Sequence, residues 1–256
     1  MCVNEKNGIV SIVFDDTIKN QLIGLELANK FGYKGTLGVV TGRVGQTYKH
    51  GDKWQVTSMT WSEIAEFKNM GWEIASHSKM HRSIDNEYLH GPYKKLSLEE
   101  LEEEVLDSKL DLINKGYNPI TFIWPGAPSQ NPCTKRELNT VKKHYEIIRF
   151  FLSYGRLYPD SGYLDKPNFN PFSTSPYNLL GTYLYSYRGM LNDFKNTLKN
   201  LGNRWLILSL HGIGEKIEGS VDITPSDFEK VLATIENSGI NVVTLEEGKR
   251  FLTKRV

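Results

Sequence analysis

The stretch GIVSIVFDDTIKNQLIGLELANKFG, residues 8–32, holds one complete strand-to-helix unit. GIVSIVF (8–14) is a short, nearly continuous apolar run, the pattern of a strand buried on both faces. Ile18, Leu22, Leu25 and Leu27 then favour a helix, which Gly32 ends. Asp15 and Asp16 sit where the strand gives way to the turn before that helix. Two acidic side chains at that junction raise the question of what the rest of the chain brings to meet them.

Outward from this unit the alternation repeats. GTLGVV (35–40), WEIAS (72–76), ITFIW (120–124), YEIIRFF (145–151), WLILSL (205–210) and INVVTL (240–245) read as further strands. Between them lie helical stretches with their own start signals. Thr60 with Glu63 and Ser97 with Glu100 form capping boxes, and Thr224 precedes Pro225 as an N-cap. Residues 152–187 break the rhythm, carrying mixed Pro, Gly, Asn and Ser and seven of the 13 tyrosines. About seven β/α units argue for a parallel sheet with helices outside it, closed into a barrel. No linker-like run or internal repeat divides residues 1–256, so a single domain is expected.

Bulk properties narrow the function classes. The 256 residues carry 31 Lys plus Arg against 30 Asp plus Glu, a formal charge of +1, without the strongly basic balance of a nucleic-acid or membrane-surface binder. No run of 18 apolar residues suggests a transmembrane helix. Two cysteines, Cys2 and Cys133, imply no disulfide framework. MCVNEKNGIV lacks the basic and apolar regions of a signal peptide, as expected of a cytoplasmic protein or of one shorn of its export signal.

In folds of this kind the chemistry gathers at the C-terminal ends of the strands. Strand one ends in Asp15 and Asp16; WEIAS runs into His77 and His81; ITFIW into Pro125 and Gly126; WLILSL into His211. Two histidines at i and i+4 share one face if the backbone there is helical, and with a carboxylate from another strand they make a three-ligand site with open positions. One of Asp15 and Asp16 is then a ligand and the other is free to take a proton from water. His211 is a candidate acid. Each signal alone has a bland reading: HxxxH is commonly a surface or capping pair, Asp-Asp a cap, and a lone His a core residue. Their joint placement at strand ends favours catalysis.

The segments IVFDDT, SHSKMH, FIWPGA and LILSLH, in that order, resemble the motifs of the polysaccharide deacetylase family (NodB-homology domain, carbohydrate esterase family 4). The resemblance runs from about residue 8 to 248 and includes INVVTLEEG near the end. It implies a distorted (β/α) barrel that hydrolyses acetyl groups from sugars, commonly N-acetylglucosamine units. It implies Asp15 as general base, Asp16, His77 and His81 as metal ligands, and His211 as general acid. The Gly126 N–H matches an oxyanion donor, with Pro125 and Trp124 beside it as substrate contacts. Zinc is the expected metal, with cobalt and nickel fitting similar sites.

Three departures stand out. The family's third motif begins with an Arg that orients the base and ends in Gly, where this chain has Ile123 and Ala127. Asp15 is therefore expected to draw support from elsewhere. The fourth motif, an Asp that tunes the catalytic acid, has only weak matches in Asp160, Asp165 and Asp193. Ser209 stands on the same strand face as His211, where an apolar residue is usual. The tyrosine-rich stretch 152–187 is either a sugar-stacking groove or an irregular connection packed on the barrel.

Overall fold

The computed structural model describes residues 8–50, 54–82, 96–126, 133–157, 167–216 and 221–252, with residues 50, 54 and 151–157 given by backbone alone. From the N-terminal side the elements are β1 (Ile9–Phe14), α1 (Gln21–Lys30), β2 (Thr36–Val39), β3 (Thr47–His50), β4 (Trp54–Thr57), α2 (Trp61–Asn69) and β5 (Glu73–Ser76). Next come α3 (Leu98–Asn114), β6 (Thr121–Ile123), α4 (Lys135–Lys142), β7 (Ile147–Leu157), β8 (Phe169–Pro171) and β9 (Leu179–Leu184). The chain continues with α5 (Met190–Lys199), β10 (Arg204–Leu210), β11 (Gly212–Ile213), β12 (Val221–Ile223), α6 (Pro225–Ser238), β13 (Asn241–Val242) and α7 (Leu245–Gly248).

Seven of these strands form a parallel ring in the order β1-β2-β5-β6-β7-β9-β10, and β10 pairs with β1 along its full length to close it. Closure leaves the ring without a free edge. This is the expected distorted (β/α) barrel. β1 is fully buried because it has barrel interior on one side and helices on the other, which is why its sequence is apolar without alternation. Phe14, stacked on Trp72 at 5.2 Å and edge-on to Phe67, joins β1 to the helix layer. A second cluster around Phe122, Trp124, Tyr145 and Phe150 packs with Leu101 and Val105 of α3 and Val141 of α4.

The strand count agrees with the sequence reading, but its membership differs. INVVTL gives only the short β13 beside the start of β1, because Thr244 caps α7 and its reciprocal bonds with Glu247 turn the chain into a helix. The seventh barrel strand is β9, LLGTYL, from inside the stretch that broke the rhythm. The capping boxes at Thr60 and Ser97 and the Thr224 cap form as expected. The hairpin β3–β4 is an addition after β2, tied to the end of β1 by Met59 N–H on the Thr17 carbonyl at 2.9 Å.

Candidate active site and metal centre

Because the ring strands are parallel, the residues just beyond β1, β5, β6 and β10 emerge at one end of the barrel. Asp16, His77 and His81 meet there, each offering a ligand atom within 4.8 Å of the others. Asp16 Oδ1 lies 3.1 Å from His77 Nε2 and 3.1 Å from His81 Nε2. His77 is turned so that Nδ1 lies 2.8 Å from the Ile123 carbonyl, which fixes Nε2 as the nitrogen facing Asp16. Burial opposes ionisation of Asp16, yet the charge of His81 and the hydrogen bonds from His77 and His81 hold its carboxyl well below the usual range. Two imidazole nitrogens and a carboxylate oxygen, with His77 and Asp16 largely covered and His81 at 24% side-chain exposure, suit a divalent cation with an open coordination position.

The histidines do not converge through a helix. Ser78 and His81 have φ of 63° and 55°, and a tight loop folds the two rings to 4.7 Å. Every amide from His77 to His81 is bonded: to the Val39 carbonyl, Ser76 Oγ, the Glu104 carbonyl, Glu104 Oε2 and Ser78 Oγ in turn. Glu104, a buried residue of α3, accepts from Met80 N–H at 2.8 Å and so pins the residue that precedes His81. Asp16 and Thr17 also have positive φ, 72° and 63°. Among the described residues, all four such non-glycine positions fall in the two segments that carry Asp16, His77 and His81. Each costs on the order of 1–3 kcal/mol, which its neighbours must supply. For Thr17 they include a 2.8 Å bond from Val40 N–H to Oγ1.

Asp15, next to Asp16 in the chain, is almost wholly buried. Its Oδ1 accepts from Arg149 Nη2, on β7. Arg149 is 1% exposed and crosses the barrel interior past Gly181, where an added Cβ would stand 2.5 Å from Ser209 Oγ and 3.3 Å from the Arg149 side chain. Asp15 therefore does have a cation, supplied from a strand other than the one that carries Ile123. Ala127 lies outside the described residues.

His211 Nδ1 lies 3.0 Å from Asp222 Oδ2, and the same oxygen accepts from His211 N–H at 2.5 Å. Burial would lower the His211 pKa, but the Asp222 charge and hydrogen bond, aided by Asp16 and Asp15, push it up to about 10. His211 Nε2 is 3.8 Å from Asp16 Oδ2. Asp222 was missed because it comes after His211, on β12, whereas the expectation placed this acid before it. Of the weaker candidates, Asp193 accepts from the Tyr187 hydroxyl at 2.7 Å; Asp160 and Asp165 lie outside the described residues. Gln21 Nε2 donates to the carbonyls of both Asp15 and His211, locking the ends of β1 and β10 together.

Pro125 and Gly126 come after β6 at the same end, Gly126 with φ of 86°. Trp124 does not face the site. Its indole is 1% exposed, edge-on to Phe122 and 5.0 Å from Phe150, so it packs under the helices and offers no face to a sugar. Ser209 is fully buried and its Oγ has no hydrogen-bond partner among the described residues.

No family model and no curated protein matches the chain. Solved structures do. Peptidoglycan deacetylase PdaC from Bacillus subtilis superposes with a TM-score of 0.57 at 14% identity, covering 97% of this chain and 94% of that one. The Xyl-CE4 domain of a multidomain xylanase from the hindgut metagenome of Trinervitermes trinervoides gives 0.57 at 15%, over 94% and 89%. A family 4 acetyl xylan esterase from Clostridium thermocellum, in complex with a cobalt ion, gives 0.56 at 18%, over 93% and 89%. At these identities the likeness is one of architecture: over nearly its whole length, this chain has the fold of the family 4 carbohydrate esterases and polysaccharide deacetylases.

Proposed function

We propose that the protein is a metal-dependent hydrolase that removes acetyl groups from an acetylated carbohydrate, with N-acetylglucosamine-type units as the expected substrate. One observation carries this reading: a cation-held carboxylate (Asp15–Arg149) and a carboxylate-held imidazole (His211–Asp222) adjoin the same Asp16–His77–His81 cluster. A barrel that only binds glycan has no use for a base and an acid beside a ligand set. The named activities of the solved structures of this fold, peptidoglycan deacetylase and acetyl xylan esterase, agree with acetyl removal from sugars.

In this reading Asp16, His77 and His81 hold a divalent cation, zinc by default, with the cobalt ion of the Clostridium esterase in keeping with such a donor set. When bound, the cation supplies Lewis acidity toward the acetyl oxygen and makes water easier to deprotonate. Asp15, its carboxylate held by Arg149, takes a proton from the attacking water. The Gly126 N–H faces the oxyanion that develops on the acetyl carbon. The His211 imidazolium, sustained by Asp222, is the proton source for the leaving atom.

The test is acetate release from a panel of N-acetylated and O-acetylated sugars, with small non-sugar acetamides alongside. Release from sugars that is lost in Asp15→Asn supports the reading. Cleavage of the small amides alone would move the activity to a related amidohydrolase, and the absence of any cleavage would remove the catalytic assignment.

A further inference from the structure

Tyr183, on β9, belongs to none of the roles above, yet it occupies the catalytic edge of His211. Its hydroxyl lies 2.8 Å from His211 Nε2, and the two rings overlap at 4.8 Å between centroids and 30° between planes. The Tyr185 ring lies 5.5 Å from that of Tyr183, and Tyr183 is only 9% exposed, so the phenol is set in place. The other imidazole nitrogen, Nδ1, is engaged by Asp222, which as a carboxylate can only accept. A second proton on His211 is therefore carried on Nε2 and directed at the Tyr183 oxygen. A phenol that accepts one hydrogen bond still has a proton of its own to give. The acid side of the site is thus a connected line, Asp222–His211–Tyr183, that runs through the imidazole to a hydroxyl.

We propose that Tyr183 is the terminal proton donor of the reaction, standing between His211 and the leaving group. The inference rests on the deacetylase reading above. As the C–N bond of the tetrahedral adduct breaks, its electron pair takes the Tyr183 hydroxyl proton. The phenol oxygen takes the Nε2 proton from His211 in the same event. Tyr183 ends unchanged, His211 ends neutral, and Asp15 holds the proton removed from water, so the protons balance.

Tyr183→Phe removes a single oxygen and keeps the stacked ring. Two substrates separate a donor from a packing residue: an N-acetylated chitooligosaccharide, whose amine cannot leave unprotonated, and p-nitrophenyl acetate, whose phenolate can. The expected result is a fall of about 10²-fold in kcat on the amide, the usual worth of a positioned acid, with KM little changed and a far smaller loss on the ester. Equal losses on both substrates, or no loss on the amide, would overturn the proposal. Failure of the wild type on both would instead sink the deacetylase reading. Zinc stoichiometry and melting temperature are measured on the variant first. If the Phe variant does not fold, a ring-fluorinated tyrosine at 183 keeps shape and hydroxyl while making the phenol more acidic; an unaltered amide-to-ester rate ratio there would likewise overturn it.

Discussion

Arg149 Nη2 donates to Asp15 Oδ1 across the barrel interior, past the strands β9 and β10 that separate β7 from β1 on that side of the ring. Both side chains are almost fully buried. A charge taken out of water this completely is tolerable only with its partner in place. Arg149→Met should therefore destabilise the protein by about 3–5 kcal/mol, the usual result of orphaning one member of a buried pair. It should also lower acetate release by about 10²-fold or more, since Asp15 loses the group that aims it. Chemical denaturation and kinetics on the same samples check both. A variant with unchanged stability would show that the pair is not formed.

Gly181 is the gap through which Arg149 passes. Gly181→Ala places a methyl group against Ser209 Oγ and the Arg149 side chain. It is expected to reproduce part of the Arg149→Met defect with no charge removed. In Gly181→Ala/Ser209→Ala the nearest obstruction is gone and activity should partly return. Ser209→Ala alone should be close to neutral in stability, because the hydroxyl has no partner to lose among the described residues.

Asp222 governs the proton on His211. In metal-free protein the imidazole should stay protonated through neutral pH and titrate near pH 10, read from its ring proton by NMR. Asp222→Asn should bring that titration down toward 6.5, the ordinary imidazole value. The folded-state value lies above the unfolded one. The stability that His211 contributes is therefore fully present below about pH 6.5 and disappears as the pH rises through about 10. Melting curves of wild type and Asp222→Asn should differ most at the acidic end of that window and converge above it.

Glu104 is not one of the three clustered residues, but it holds the amide before His81. Glu104→Ala should weaken zinc binding by about 10–100-fold, the usual cost of losing a group that orients a ligand. Glu104→Gln, which keeps an acceptor, should recover most of it. Competition with a chromophoric chelator gives the affinities directly. Equal affinity in all three proteins would mean that the loop holds its shape without α3.

The Asp16–His77–His81 cluster and the barrel were legible in the sequence because both follow from local patterns. Apolar runs give strands, and the polar residues at the end of each run give the site. IVFDD and ASHSKMH need only their own neighbours to be read. The supporting residues were harder to place, since each acts from a distant strand. Arg149 is a charge in the middle of the apolar run YEIIRFF, and a buried cation on a barrel strand demands a carboxylate. Asp222 sits between Val221 and Ile223, one buried acid in a short strand later in the chain than His211. Both signals were present, but their partners are fixed only by ring closure. β9 was hidden because Gly181 and the tyrosines around it look like loop composition. The glycine is there to let Arg149 pass and Tyr183 is there for His211. Residues chosen for the site obscured the strand that carries them.

The central claim is that one cation, at Asp16, His77 and His81, serves a base at Asp15. The most direct measurement is acetate release from an N-acetylated chitooligosaccharide by chelator-stripped protein as zinc is added back, for wild type and Asp15→Asn in parallel. The account predicts no release without metal, a rise that levels off at one zinc per chain, and an Asp15→Asn protein that takes up the same single zinc and stays inactive. Full release from the stripped protein, or undiminished release from Asp15→Asn, would contradict it.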